Sequence, residues 1–349
     1  MKKLLLTAAA AAVGLAALGA GEAAAQNKVR WKMHSSFTSK LAILGSGGKN
    51  IEKRTDELSG GAFEIKFFEP GAIVPALQVF DAVSAGSVEV GYSAAPFFVG
   101  KIPAASFFGT VPFGPQTGEF LAWMKFGGGQ ELQDELYAPF KIKGYPACNI
   151  NAPEASGWFR KEIKSVDDLK GLKMRFAGLG AKVMEKFGVS TQLLAPGDIY
   201  PALELGTLDA TELSMPSVDI KAGFFTVAKH YYFPGWHQQS TFQEILVHRP
   251  LHDALSEEHK TMLEVACGEA GLWSFGLAES KQFGALQEIK AKGVTIHVWP
   301  PETLKAFEAK WKEVATEESA KDPAFKKVYE SYSNFRANYA IWRDVGYLK

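Results

Sequence analysis

The stretch Leu172-Lys173-Met174-Arg175-Phe176, followed by Gly178-Leu179-Gly180, decides the fold. A short run with alternating apolar positions that enters a glycine-framed turn reads as a strand feeding a helix, here predicted to run to Phe187. The pattern then repeats: strand Thr191 to Ala195, helix Asp198 to Leu205, stop at Gly206, strand Leu208 to Leu213. Upstream, Ser165 is placed to cap a short helix through Leu169, and the whole block opens near Asn151. An earlier block has the same grammar. Val29 to Met33 and Ala62 to Phe68 read as strands around a helix from Leu41 to Leu58, and a helix from Ala76 to Ala85 leads to the strand Val88 to Tyr92. Strands alternating with helices predict an α/β fold.

Working outward, Ala95 to Pro115 is rich in Phe, Pro and Gly without a clean period, and Glu119 to Tyr137 reads as helix broken at Gly127-Gly128-Gly129. That glycine run is a loop or a phosphate cradle, and no Lys-Ser/Thr pair follows it as a P-loop requires. Phe242 to Val247 reads as a strand returning to the first block, Leu251 to Glu288 as long helical segments, and Val294 to Trp299 as a last strand. The C-terminal stretches Pro301 to Glu317 and Pro323 to Trp342 have helical periodicity, with an aromatic stripe at Phe325, Tyr329, Tyr332 and Phe335. Such a stripe is a packing surface or a contact between two copies.

At the other end, Lys2 and Lys3, the apolar run Leu4 to Leu18 and Ala23-Ala24-Ala25 read as a secretory signal over 1–25, with cleavage before Gln26. The run is shorter than the roughly 20 residues of a spanning helix, and Gly14, Gly19 and Gly21 interrupt and follow it. About 324 of the 349 residues then remain, enough for two lobes. Lys plus Arg and Asp plus Glu both number 38, a balance that argues against a nucleic-acid ligand or a polybasic membrane patch. Export would permit one bond between the two cysteines, Cys148 and Cys267, but two buried free thiols are the expectation.

In open α/β sheets ligands sit beyond the carboxyl ends of the strands. Arg175 and Glu212 stand there. Arg175 offers a permanently charged fork for both oxygens of a carboxylate, or is a surface Arg paired with an acid. Glu212, in an apolar context, needs a partner or a metal, or is an ordinary strand-end acid. No Gly-x-Ser-x-Gly elbow and no His-Glu-x-x-His pair is present, and the seven His do not cluster at ligand spacing. A hydrolase is therefore the alternative rather than the main reading, with His237 a packed side chain or pocket wall rather than a base.

Several motifs now carry a resemblance. Arg175 to Gly180, Gly197-Asp198-Ile199-Tyr200-Pro201-Ala202-Leu203-Glu204 and Tyr231-Tyr232-Phe233-Pro234-Gly235-Trp236 resemble the solute-binding proteins of tripartite ATP-independent periplasmic (TRAP) transporters, in the subgroup for 2-oxo acids and related monocarboxylates. Gly71-Ala72-Ile73-Val74-Pro75, Val111-Pro112-Phe113-Gly114 and Gly157-Trp158-Phe159-Arg160-Lys161-Glu162 follow in the same order, so the match spans the mature chain. The resemblance implies a two-lobed periplasmic clamp with a long C-terminal helix: 26–150 with 241–290 as lobe 1, 151–240 with 291–320 as lobe 2, and 321–349 as a C-terminal helical segment. It implies a small organic carboxylate as ligand and TRAP membrane subunits as partners, while the C-terminal aromatic stripe leaves a homodimer through that helix open. A sensory receptor subunit would use the same capture chemistry.

For the site, the resemblance implies that Arg175 reads the carboxylate, and that Glu212 and the Leu213 carbonyl hold a metal ion bridging to the substrate. Glu154 stands where the family has Gln, and Gln238 where it has an acid, as if one charge had changed sides, and both are placed in the substrate and metal shell. Glu154, Glu212 and a substrate carboxylate bring about three negative charges, balanced by Arg175 and a divalent cation. Hard oxygen ligands favour Ca²⁺ over Na⁺. Pro96, Phe97 and Phe98 replace expected Tyr and Trp, which predicts an apolar wall and a bulkier 2-oxo or 2-hydroxy acid as readily as pyruvate. Tyr92 and Trp236 complete the expected substrate contacts, with Ser93 and Tyr200 as further hydroxyls. The hinges are expected at Asn149 to Asn151 and Gln239 to Thr241.

Overall fold

Alternation along Val29–Ser35 (β1) and Phe63–Phe68 (β2) puts Trp31, Met33, Phe63, Ile65 and Phe67 on one buried face, which the helix Leu44–Ser59 covers. The computed structural model describes residues 28–348. The signal segment expected at 1–25 lies outside the described residues. Val90–Ala94 (β3) pairs in parallel with β1, Ile142–Asn151 is β4, and the strand Thr241–His248 runs antiparallel to both β3 and β4. Between β4 and that strand the chain visits a second sheet, adding Gly157–Phe159 (β5), Lys173–Arg175 (β6), Ser190–Gln192 (β7), Ala210–Thr211 (β8) and His230–Phe233 (β9). Thr241–His248 is therefore β10, and Thr295–Val298 is β11.

The first sheet has the order β2-β1-β3-β10-β4 and the second β11-β9-β5-β8-β6-β7. Each forms a lobe of the α/β clamp. The chain leaves the first sheet at Asn151 and returns at Thr241, which are partners in the β4–β10 register. Strand β8 is short, yet it lies between β5 and β6 and carries the chain straight into Glu212.

Aromatic stacking fills the interior. Trp158 lies 3.9 Å from Tyr231, Phe120 4.3 Å from Phe242, and Tyr232 4.2 Å from Trp299. Complete burial of one such side chain contributes roughly 2–3 kcal/mol.

The helix Glu257–Ala291 starts at Ser256, whose hydroxyl accepts the His259 amide, with Glu257 and Glu258 in its first turn and Lys290 in its last. It runs along β4, where the Ser274 hydroxyl accepts the Ile150 amide at 2.9 Å, and reaches the second lobe through Gln282, which accepts the Ser217 amide at 3.0 Å. The approach to β4 is so close that a side chain at Gly271 would collide with the Ala147 carbonyl. The same proximity corrects the expectation of two free thiols: Cys148 of β4 and Cys267 of this helix form a disulfide.

The C-terminal helix Pro323–Gly346 begins at Asp322, whose carboxylate accepts the Ala324 amide. Its aromatic stripe is a packing surface, since Phe325 and Tyr332 sit 5.0 and 5.4 Å from Phe107 and Tyr332 also meets Trp123. Arg336 fastens it to the first lobe through Glu119 and the Phe113 carbonyl. Past that point Ile341, Trp342 and Val345 are exposed. Among the described residues no helix is long and apolar enough to cross a membrane.

Candidate functional site

Parallel strands bring their carboxyl ends to one edge, and here two sheets bring theirs to the same cleft. The ends of β1 and β3 contribute Phe37, Ala94, Pro96 and Phe97, those of β6 and β8 contribute Arg175, Ala177, Glu212 and Leu213, and the crossing segments contribute Asn151, Glu154, Gln238, Thr241 and Gln243. These residues close over a cavity of about 20 Å³, roughly the room of one water.

Arg175 and Glu212 are each 1% exposed. Arg175 donates from Nη1 to the Glu212 carboxylate at 2.7 Å and to its backbone carbonyl at 2.8 Å, and from Nε to the Leu194 carbonyl at 3.2 Å. Among the described residues Nη2 has no hydrogen bond, and the guanidinium carbon lies 6.0 Å from the centre of the Phe97 ring. Arg175 is thus not a surface residue: it pairs with an acid in the interior and keeps one side of its fork toward the cleft.

Glu212 Oε1 also accepts the Ala177 amide at 2.6 Å, whereas Oε2 has no hydrogen-bond partner and lies 3.8 Å from His237 Nε2. Burial acts to raise the Glu212 carboxyl, but the Arg175 charge, His237 and the Ala177 amide outweigh it and hold the group below its ordinary range. Glu154 is different. Its Oε1 accepts Asn151 Nδ2 at 2.8 Å, its Oε2 has no partner, and burial above all pushes its carboxyl up to about 8. Gln238 Oε1 is likewise buried without a partner, and no donor among the described residues reaches the Leu213 carbonyl.

The geometry thus gathers Arg175, Glu154, Glu212, Leu213, Gln238 and Phe97, and separates three others. Phe98 turns away, its ring 4.7 Å from Phe80 in an apolar cluster of the first lobe. Tyr92 lies behind the wall, donating its hydroxyl to the Leu44 carbonyl at 2.8 Å. Trp236 packs on Phe113, Phe176 and Phe307 rather than on the cavity. Ser93 is held by Ser36, and Tyr200 is bonded to Glu204 and Thr226 away from the cleft. His237 stands behind Glu212 against Phe176, as a packed side chain.

Sequence reasoning passed over Phe37, Asn151, Thr241 and Gln243 as lining residues. Phe37 was findable, since it follows β1 on the carboxyl side; its ring lies 5.6 Å from that of Phe97, tilted against it. Asn151, Thr241 and Gln243 lie on the antiparallel pair β4 and β10, whose meeting at the cleft is a tertiary fact.

No cluster of three His, Cys, Asp or Glu side chains suited to a metal occurs among the described residues. The donor set of the cavity is of another kind: two carboxylates, an amide and a carbonyl, all oxygen. Three buried side-chain oxygens without a partner fit a hard cation, because each such group is otherwise costly.

Residues 34–322 match the family described as bacterial extracellular solute-binding protein, family 7. Over 320 residues, 92% of this chain and 87% of the relative, the sequence is 38% identical to a monocarboxylate 2-oxoacid-binding periplasmic protein of Nostoc sp.. A TRAP transporter solute-binding protein from Bordetella bronchiseptica, described as a mixed-occupancy dimer with copurified calcium and picolinate, superposes with a TM-score of 0.87 at 36% identity. That match covers 91% of this chain and 94% of the other. A TRAP periplasmic solute-binding protein from Pseudoalteromonas atlantica with bound sodium and pyruvate gives 0.86 at 32% identity, covering 90% and 96%. Two lobes closed on a buried arginine agree with the family match over most of the chain: the protein belongs to family 7 of the bacterial extracellular solute-binding proteins, the periplasmic binding components of TRAP transporters, and is not an enzyme.

Proposed function

We propose that the protein captures a 2-oxo or 2-hydroxy monocarboxylate, or another carboxylate with a donor atom beside its carboxyl carbon, and passes it to TRAP membrane subunits. Arg175 reads the carboxylate, and Glu154, Glu212, Gln238 and the Leu213 carbonyl hold a cation that bridges to it. The observation that carries this reading is the set of unpartnered buried oxygens, Glu154 Oε2, Glu212 Oε2 and Gln238 Oε1, around one cavity with Arg175. The bound ion would supply positive charge and open coordination positions. Two buried carboxylates beside a single arginine favour a divalent ion, so Ca²⁺ is preferred to Na⁺. Calcium with picolinate and sodium with pyruvate, in the two structural relatives, support the pairing of an ion with a carboxylate that carries a neighbouring donor. Phe37, Phe97, Leu44 and Pro96 form an apolar wall opposite Arg175, which suits a hydrophobic or planar substituent.

The cavity is smaller than such a ligand, so binding requires the lobes to part. The hinges proposed are Asn149 to Asn151 and Gln239 to Thr241, where the chain crosses between sheets, with 26–150 and 241–290 moving against 151–240 and 291–320. A homodimer is proposed through the end of the C-terminal helix, on the support of its exposed Ile341, Trp342 and Val345. Light scattering behind size exclusion checks it: the wild type is expected at twice the chain mass and Trp342→Glu at the monomer mass.

The functional reading is tested by thermal unfolding with pyruvate, picolinate, 2-hydroxy acids and dicarboxylates, each with Ca²⁺, with Na⁺ alone and with chelator. A chelating monocarboxylate is expected to raise Tm in Ca²⁺ and not in chelator, because a ligand that binds only the folded state stabilises it. Stabilisation that persists unchanged in chelator and without sodium would remove the cation from the reading.

A further inference from the structure

Asp219 does not line the cavity, yet its carboxylate is fully buried directly behind the segment that does. It stands in the first turn of the helix Pro216–Ala222 and has donors from three places. Oδ2 accepts Trp158 Nε1 of β5 at 3.0 Å and the Tyr231 hydroxyl of β9 at 2.8 Å. Oδ1 accepts the Ser214 amide at 3.1 Å. Ser214 follows Glu212 and Leu213, and its own carbonyl accepts the amide of Ala155, next to Glu154, at 3.0 Å. One carboxylate thus joins the middle of the second sheet to the segment that bears two of the four proposed cation ligands.

We infer that Asp219 is a positioning residue that fixes the rotation of the segment from Glu212 to Ser214, and so aims the Leu213 carbonyl and the Glu212 carboxylate into the cavity. The inference rests on the cation-bridged reading of that cavity. Strand β8 ends at Thr211, and although the Glu212 amide still donates to the Arg175 carbonyl, Leu213 and Ser214 lie beyond the ladder. The Asp219–Ser214 bond supplies the missing restraint from one side and the Ala155–Ser214 bond from the other. An acid suits the position because both of its oxygens accept. An amide accepts on one side only, so Asn would release either the Ser214 amide or the Trp158 and Tyr231 pair.

The test titrates Ca²⁺ into the mature protein, with pyruvate and separately with picolinate at saturation, and reads the midpoint by calorimetry. Asp219→Asn is expected to raise the midpoint about tenfold or more. Trp158→Phe and Tyr231→Phe each withdraw a donor from the same carboxylate while leaving Ser214 bonded. They are expected to lower Tm but to move the midpoint less than about twofold. Should Asp219→Asn fail to fold, Asp219→Glu keeps the charge and both acceptors on a longer arm, and a rise in midpoint of about threefold is expected. An unchanged midpoint in the Asp219 variants, or the same shift in the Trp158 and Tyr231 variants, overturns the positioning role and leaves the cation site standing. A wild-type protein indifferent to Ca²⁺ with both carboxylates overturns the cation-bridged reading and this inference with it.

Discussion

Arg175 is held on three sides by acceptors and faces the cleft with the fourth. Lysine at this position would keep the charge and lose the fork, so Arg175→Lys is expected to weaken carboxylate binding by about tenfold or more in titration calorimetry. Another buried acid, Glu244, lies outside the site. Glu244 accepts Gln133 Nε2 at 2.6 Å and the Tyr137 hydroxyl at 3.0 Å, and burial pushes its carboxyl up to about 8. In the unfolded chain it ionises near 4.5, so the folded state binds the extra proton between those values and stability falls as pH rises from about 4.5 to about 8. Glu244→Gln is expected to abolish that loss: equal stability near pH 4, and a gain of about 1–3 kcal/mol at pH 8 by denaturant titration. Arg175 and Glu212 were legible as candidates because charged residues at strand ends stand out, but position alone left each open to an ordinary paired role, and only the resemblance gave them one in a site. Tyr92 and Phe98 were misplaced because a strand and the turn after it present alternate sides, and which side meets the cleft is decided by the helices packed behind.

At the scale of elements, the helices and strands around Arg175 match the sequence periodicity to within a few residues, but β4 was not legible at all. Its sequence contains Gly144 and Pro146, both strand breakers by composition. The strand survives because its register with β10 shifts between Gln243 and Ile245, so that Pro146 falls in a bulge where no ladder donor is needed, with Ala147 at φ 58°. The turn after β6 matters in a different way. Gly178 has φ 71° and ψ −159°, a conformation essentially restricted to glycine, and a Cβ there would stand 3.1 Å from Pro96 and 3.4 Å from the Ser106 hydroxyl on the opposite lobe. Gly178→Ala is expected to cost about 1–3 kcal/mol of stability. It should also hinder closure, so that small-angle scattering shows less compaction on adding ligand than in the wild type.

Taken as a whole, the second lobe is inserted between β4 and β10 and completed by β11, which returns from beyond the helix Glu257–Ala291. Two-lobed organisation was readable from the repeated strand and helix pattern and from length, whereas the convergence of both sheet edges on one cleft needed the fold. The disulfide stands at the root of this arrangement, between β4 and the helix Glu257–Ala291. A covalent link of this separation contributes about 2–5 kcal/mol, so the double variant Cys148→Ser, Cys267→Ser is expected to melt several degrees lower, with carboxylate affinity in calorimetry little changed. The two cysteines are 119 positions apart, and Glu154, Arg175, Asp219, Glu212, Leu213 and Gln238 all fall between them. A tether pulled from the two chain ends would therefore bypass the stretch that carries these residues and reach the second sheet only through β11 and the helix after it. Each extended residue spans about 3.5 Å, and the oxidised protein should give way over a contour roughly 400 Å shorter than the reduced one.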